Sequence, residues 1–353
     1  MARYQSISDY PVVYFLHGFG DSPSVFVRNA KKVLDVEFTK DASKEFLLVA
    51  VDGSNSVGGS FYVNSPVMGN WETYTVSEVV SYIDSNYHTI SEAGARGICG
   101  FSMGGFASIN LAFRHPDVYS AVYAMSPGLL APGKIKDAFE TWEGDQIFLE
   151  AYSMAFAYKD QAPYIEIPSG DGSEADQILM ERWESGFGNL QEKLDDYLAL
   201  GVPLKSIGFC YGENDGYQWI PEGTCYLAGL LDKKGISYDI YSFQGGHILP
   251  PDFVKDQLFP FFQTLFLMSK IRKKIIQRSY NQYCFQTVNK AAPRIKSWCY
   301  CICKNYDTIM ADKKIKRCIN YTDKAKSKKC GHLMIVSTVG FMFGTCDGSK
   351  YGY

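Results

Sequence analysis

The segment Gly97-Ile98-Cys99-Gly100-Phe101-Ser102-Met103-Gly104-Gly105 sets a serine in the pattern G-x-S-x-G, directly after an apolar run and directly before a helical pattern. A sharp strand-to-helix turn strains its central residue, so the positions around it must lack bulk, and Gly100, Gly104 and Gly105 meet that need. Ser102 is then expected to project its hydroxyl from a strand end, at the positive end of the next helix. A serine hydroxyl is a weak nucleophile at neutral pH and needs a general base that is itself oriented by a carboxylate. Asp215 follows one apolar run and His247 the next, which completes the order serine, acid, histidine found in one class of acyl-transfer triads. Glu213 is the alternative acid, less favoured because it lies closer to the strand end. Of the five histidines, His88 and His115 read as exposed or capping residues, His17 as a residue shaping a loop, and His332 lies far downstream. Acyl transfer also needs N–H donors for a tetrahedral oxyanion; Met103, which follows the nucleophile, and Phe19, in Leu16-His17-Gly18-Phe19-Gly20, are the candidates.

Elements must bring these groups together. Short apolar runs at 12–16, 46–51, 97–101, 121–125, 206–211 and 238–243 read as six strands. Between them lie amphipathic patterns, such as 75–86 with Val76, Val79, Val80 and Ile83 on one face, and 221–234 with Tyr226, Leu227, Leu230 and Leu231. Continuous apolar strands alternating with such helices predict a mostly parallel central sheet flanked by helices on both faces. Ser102, Asp215 and His247 each follow a strand, so all three are expected at one sheet edge. Residues 128–200, between the fourth and fifth strands, form an excursion too long for a simple crossover and are expected to build a lid or pocket wall.

Hydrophobic residues make up 46% of the 353, and 48 are Phe or Tyr, which suits a large buried core and excludes a disordered chain. The net charge of −3 hides an asymmetry. Residues 269–353 hold 18 of the 35 Lys and Arg but 4 of the 38 Asp and Glu, leaving about −17 on residues 1–268 and about +14 on the rest. Seven of the ten cysteines also fall in that tail. Two parts are therefore expected: a folded domain over 1–268 that carries all the chemistry, and a loosely ordered, basic, Cys-rich tail over 269–353. Cys299, Cys301 and Cys303 alternate at one-residue spacing, unlike the paired cysteines of zinc modules, so no metal is expected. The basic clusters come without a nucleic-acid-binding motif, and no nucleic-acid partner is expected. The start, MARYQSISDY, has no apolar signal region, and the longest late apolar run, 333–343, is 11 residues. A soluble, cytoplasmic protein without a membrane span is expected.

The segments PVVYFLHGFGDS, GNWETYTVSEVVSYIDSNY, GFSMGGFASINLAFRHPDVYSAVYAMSP, GENDGYQWIPEGTCYLAGLLDKKGI and GGH together resemble the putative-esterase branch of the α/β hydrolases. That branch includes esterase D-type S-formylglutathione hydrolases, feruloyl and acetyl esterases, and mycolyltransferases. The resemblance runs over residues 10 to 265 and implies an α/β-hydrolase fold, with Ser102 as nucleophile, Asp215 as acid, His247 as base, and Phe19 and Met103 as the oxyanion hole. Trp71 and Glu72 match a helix start near the family's pocket, and with Trp219 they are expected as substrate-pocket residues, although packing and capping serve the first two equally well. About ten residues precede the first strand, where family members carry one or two further strands, so the sheet is expected to lack its leading edge. The tail matches nothing in the family.

The expected function is a serine carboxylesterase acting on a small-molecule or carbohydrate-linked ester, without cofactor. An acyltransferase or a thioesterase of the same fold is the alternative, as is a catalytically silent hydrolase fold used for binding.

Overall fold

A computed structural model of the chain describes residues 9–266 and two later strands, His332–Ser337 and Gly340–Thr345. The first apolar run forms β1 (Val12–Leu16), buried along its whole length, and the chain then turns into α1 (Pro23–Lys40). Proline at the first turn of α1 costs no hydrogen bond, and Val27, Ala30, Leu34 and Phe38 recur every three or four residues as its buried stripe. β2 (Leu47–Val51) follows, then the two-residue strands β3 (Asn64–Ser65) and β4 (Gly69–Asn70), which pair with each other. The next helical segment runs through α2 (Trp71–Thr73), a π turn (Tyr74–Val79) and α3 (Val80–Asn86). It begins four residues before the amphipathic pattern does, because Trp71 is buried and the Thr75 hydroxyl donates back to the Trp71 carbonyl at 2.8 Å.

β5 (Arg96–Phe101), α4 (Met103–Arg114) and β6 (Ala121–Met125) form the central unit. Four helices then make up the long excursion, α5 (Ile135–Trp142), α6 (Gln146–Phe156), α7 (Glu174–Phe187) and α8 (Leu190–Ala199), with the polar stretch 157–173 irregular between the middle two. β7 (Ser206–Gly212), α9 (Trp219–Lys233), β8 (Asp239–Phe243) and helical residues 253–266 complete the domain. α9 starts before Pro221, since proline is accommodated in a first turn whose N–H groups have no intrahelical acceptor.

The sheet order is β2-β1-β5-β6-β7-β8, all parallel, as the strand and helix alternation predicts. Alternate side chains enter two cores. Val12, Tyr14, Leu16, Val49 and Ile98 face α4 and the excursion, while Val13, Phe15, Ala50 and Cys99 face α1 and helical residues 253–266. Register aligns the C-terminal strand ends: Leu16 is level with Gly100, Phe101 with Met125, Met125 with Cys210, and Gly212 with Phe243. The loops after β1, β5, β7 and β8 therefore leave one edge of the sheet. Beyond β2, β9 (His332–Ser337) pairs antiparallel with that strand, and β10 (Gly340–Thr345) pairs with β9. Two strands from the far end of the chain thus lie beyond β2. The rest of the tail, and with it the expectation of a loosely ordered appendage, lies outside the described residues. No helix among the described residues is long and apolar enough to cross a membrane.

Candidate active site

Ser102 joins β5 to α4 with φ 55° and ψ −114°, a conformation that costs a non-glycine residue about 1 to 3 kcal/mol. The turn is held from three sides. Ser102 N–H donates to the Met125 carbonyl at 2.9 Å, and the Ser102 carbonyl accepts from Phe106 N–H at 3.0 Å and Gly128 N–H at 3.2 Å. The glycines are steric requirements: a Cβ on Gly100 would run into the Gly104 carbonyl, and one on Gly104 into the carbonyl oxygen of Leu16. Both obstacles are backbone, which cannot step aside as a side chain can. Gly104→Ala is therefore expected to push α4 off β1 and destabilise the domain by about 1 to 3 kcal/mol or more. Urea unfolding of this variant beside Gly133→Ala checks it; the Gly133 site has no crowding, though its φ of 77° brings its own strain.

The loops after β7 and β8 are tied by Asn214 N–H donating to the Gly245 carbonyl at 2.9 Å. That bond sets His247 beside Asp215, with Nδ1 at 2.7 Å from Oδ2. Asp215 is 1% exposed, and its other oxygen accepts from Tyr217 N–H at 2.9 Å. Glu213, the alternative acid, instead accepts from the Ser242 hydroxyl at 2.7 Å and the Gln244 side-chain amide at the surface. The His247 ring lies between Phe101 and Tyr217, with ring centres 4.8 and 5.2 Å away.

Ser102 and His247 line one cavity of about 280 Å³, together with Phe19 and Met103. Among the described residues neither Phe19 N–H nor Met103 N–H has a protein acceptor. The loop bearing Phe19 is braced from beneath. His17 is fully buried, its Nδ1 2.8 Å from the Gly18 carbonyl and its Nε2 within 2.9 Å of Gly53 N–H and 3.3 Å of the Asp52 carboxylate. The Tyr62 hydroxyl accepts from His17 N–H at 3.0 Å and donates to the Val51 carbonyl at 3.2 Å. Tyr62 and its neighbour Phe61 are buried with φ of 54° and 51°, strain held in place by these bonds and by Phe61 packing among Phe148, Tyr152 and Phe187. Sequence reasoning missed Asp52, Phe61 and Tyr62, and no motif marks them.

Burial alone would raise the Asp52 carboxyl, but hydrogen bonds from His17 and Ser54 outweigh it and hold the group at about 2. A depressed carboxyl stabilises the fold above its unfolded value, near 3.8, and that contribution is lost as pH falls toward 2. Wild type is thus expected to lose about 1 to 2 kcal/mol more than Asp52→Asn between pH 5 and pH 2.5. Parallel pH profiles in denaturant melts would show that the bond does not hold.

The excursion supplies much of the cavity wall, including Trp142, Phe148 and Phe187, and α9 supplies Trp219, whose indole N–H donates to the Thr141 hydroxyl at 2.9 Å. Trp219 is thus brought to the cavity, whereas Trp71 and Glu72 are not. The Trp71 indole donates to the Met68 carbonyl at 3.0 Å. Glu72 faces the far end of α4, where it bonds Arg114 Nε at 2.9 Å and His115 Nε2 at 2.7 Å. Burial works to raise its carboxyl, and those two partners together lower it. Packing and bracing, the other reading of these two residues, is where the structure places them. Among the described residues no three His, Cys, Asp or Glu side chains gather as a set of metal ligands.

Comparison with known proteins bears on this arrangement. The family described as "Putative esterase" matches residues 2–201, a span that includes Phe19, Ser102 and Met103 and ends before Asp215 and His247. Esterase Rv1288 of Mycobacterium tuberculosis is 25% identical over 69% of this chain and 50% of its own length. The diacylglycerol acyltransferase/mycolyltransferase Ag85A of Mycobacterium leprae is 31% identical over 34% of this chain and 40% of its own. The chain thus spans about half the length, or less, of these curated relatives. Among solved structures, a ferulic acid esterase superposes with a TM-score of 0.50 at 21% identity, covering 74% of this chain and 88% of that one, a likeness of fold.

Proposed function

Because the chain belongs to the putative-esterase family of the α/β hydrolases, we propose that it is a serine carboxylesterase working through a covalent acyl-enzyme. The observation that carries this reading is His247 bonded to the buried Asp215 while sharing a cavity with Ser102 on its strained turn. Asp215 holds the imidazole with its proton on Nδ1, which leaves Nε2 free to take the Ser102 proton as Oγ attacks the ester carbonyl. The oxyanion that forms is met by Phe19 N–H and Met103 N–H, the latter at the positive end of α4. The imidazolium then gives its proton to the departing alcohol, and water, activated in turn by His247, releases the acid. No step calls for a cofactor. The substrate is a small-molecule or carbohydrate-linked ester, and the aromatic wall from the excursion and α9 shapes which one fits.

Labelling with a fluorophosphonate probe tests the nucleophile: wild type is expected to react and Ser102→Ala to stay unlabelled. Labelling at another residue would overturn the assignment. Hydrolysis is also expected to be indifferent to EDTA. Activity lost to a chelator and restored by zinc would reject the scheme.

A further inference from the structure

Beside its aromatic wall, the cavity that holds Ser102 and His247 is lined, among the described residues, by two carboxylates, Asp21 and Asp145, and by no lysine or arginine. Both carboxylates are exposed, and among the described residues neither is in an ion pair. Each is fixed by one local bond: Asp21 accepts from Ser22 N–H at 2.7 Å just before α1, and Asp145 from Phe148 N–H at 3.0 Å as the cap of α6. Their charge is therefore held at the cavity and, among the described residues, not neutralised by a neighbouring cation. We infer that Asp21 and Asp145 select the substrate by charge, so that the site accepts neutral or cationic esters and turns away esters bearing a carboxylate. This rests on the esterase reading and deepens it.

Two observations act together. An entering anion meets two negative groups and no compensating cation. It must also shed water against Phe19, Phe148 and Trp219, which offer its charge nothing in return. The α6 N-terminus offsets part of the Asp145 charge, so the pair repels as somewhat less than two full charges. A substrate's length away and partly in water, that amounts to about threefold for each residue and roughly tenfold for both. A thioester of an anionic tripeptide falls in the rejected class, whereas an uncharged aromatic ester falls in the accepted one.

The test compares two aryl acetates of nearly equal shape on the full chain, 4-acetoxybenzamide, which is neutral, and 4-acetoxybenzoate, which is anionic. Each kcat/KM is divided by that ester's rate with hydroxide. The corrected ratio is expected to favour the amide about tenfold at low salt and to narrow in 0.5 M NaCl, as screening weakens the repulsion. In Asp21→Asn/Asp145→Asn it is expected to fall toward one, and asparagine keeps the cap of α6. A wild-type ratio near one, a ratio indifferent to salt, or a folded double variant that discriminates as wild type does would each overturn the inference. Because the salt dependence is read on wild type, the test does not depend on the variant folding. No turnover of either ester would instead overturn the hydrolase reading, and the charge selection with it.

Discussion

Ser102→Ala is expected to lower kcat for ester hydrolysis by about 10⁴- to 10⁶-fold without loss of fold. The size follows from the chemistry, because without Oγ no acyl-enzyme forms and only binding and the two amides at Phe19 and Met103 remain to assist water. The fold should survive because the Ser102 hydroxyl caps nothing; the turn is held by backbone bonds to Met125, Phe106 and Gly128. Thermal melts should therefore match wild type, or exceed it slightly, since alanine removes a polar group from a strained position. His247→Ala is expected to fail to a comparable degree, and Ser102→Ala/His247→Ala to be little worse than either alone, because groups that act as one unit are not additive. Near-wild-type turnover by Ser102→Ala in a preparation free of contaminating esterase would end the mechanism.

Asp215→Asn is expected to reduce kcat by about 10³- to 10⁴-fold, with a much smaller change in KM. An amide at this position can donate to Nδ1, which would place the imidazole proton on Nε2 and leave no lone pair facing Ser102. The variant also keeps an oxygen for Tyr217 N–H, so its loop should stay in place. Glu213→Gln serves as the partner measurement. Its side chain is tied at the surface to Ser242 and Gln244, away from His247, and a change within about threefold is expected. Reversal of these two effects would move the acid to Glu213.

The choice between these acids marks where the sequence stopped. Asp215 and Glu213 are two residues apart after the same strand, and both satisfy the order serine, acid, histidine. Local pattern separates them only by distance from the strand end. The fold separates them by burial: the bond between Asn214 and Gly245 turns Asp215 inward under His247 and leaves Glu213 outside. Trp71 and Glu72 are a similar case. Their place at a helix start was legible, but which neighbour that helix meets depends on packing, and Glu72 meets Arg114 and His115 instead of the cavity.

What the sequence determined by itself is whatever depends on neighbours along the chain. Six strands are recognisable because each is a short apolar run bounded by turn residues, and all six expected spans agree with the structure to within one residue at either end. The sharp turn at Ser102 is recognisable because only glycine fits at positions 100 and 104, where a Cβ would strike backbone. Parallel order and a shared edge for Ser102, Asp215 and His247 follow from that alternation, because strands buried on both faces leave few other arrangements. Tertiary structure alone decided the rest. The brace of Tyr62 and Asp52 on His17 spans 45 and 35 residues, the two cavity carboxylates are 124 apart, and β9 reaches β2 from nearly the other end of the chain. Such contacts leave no local signature, since a hydroxyl or carboxylate that braces a loop looks in sequence like any surface tyrosine or aspartate. For His17 and Tyr62 it is the burial of both partners against the same core that makes the bond form and gives it its energy.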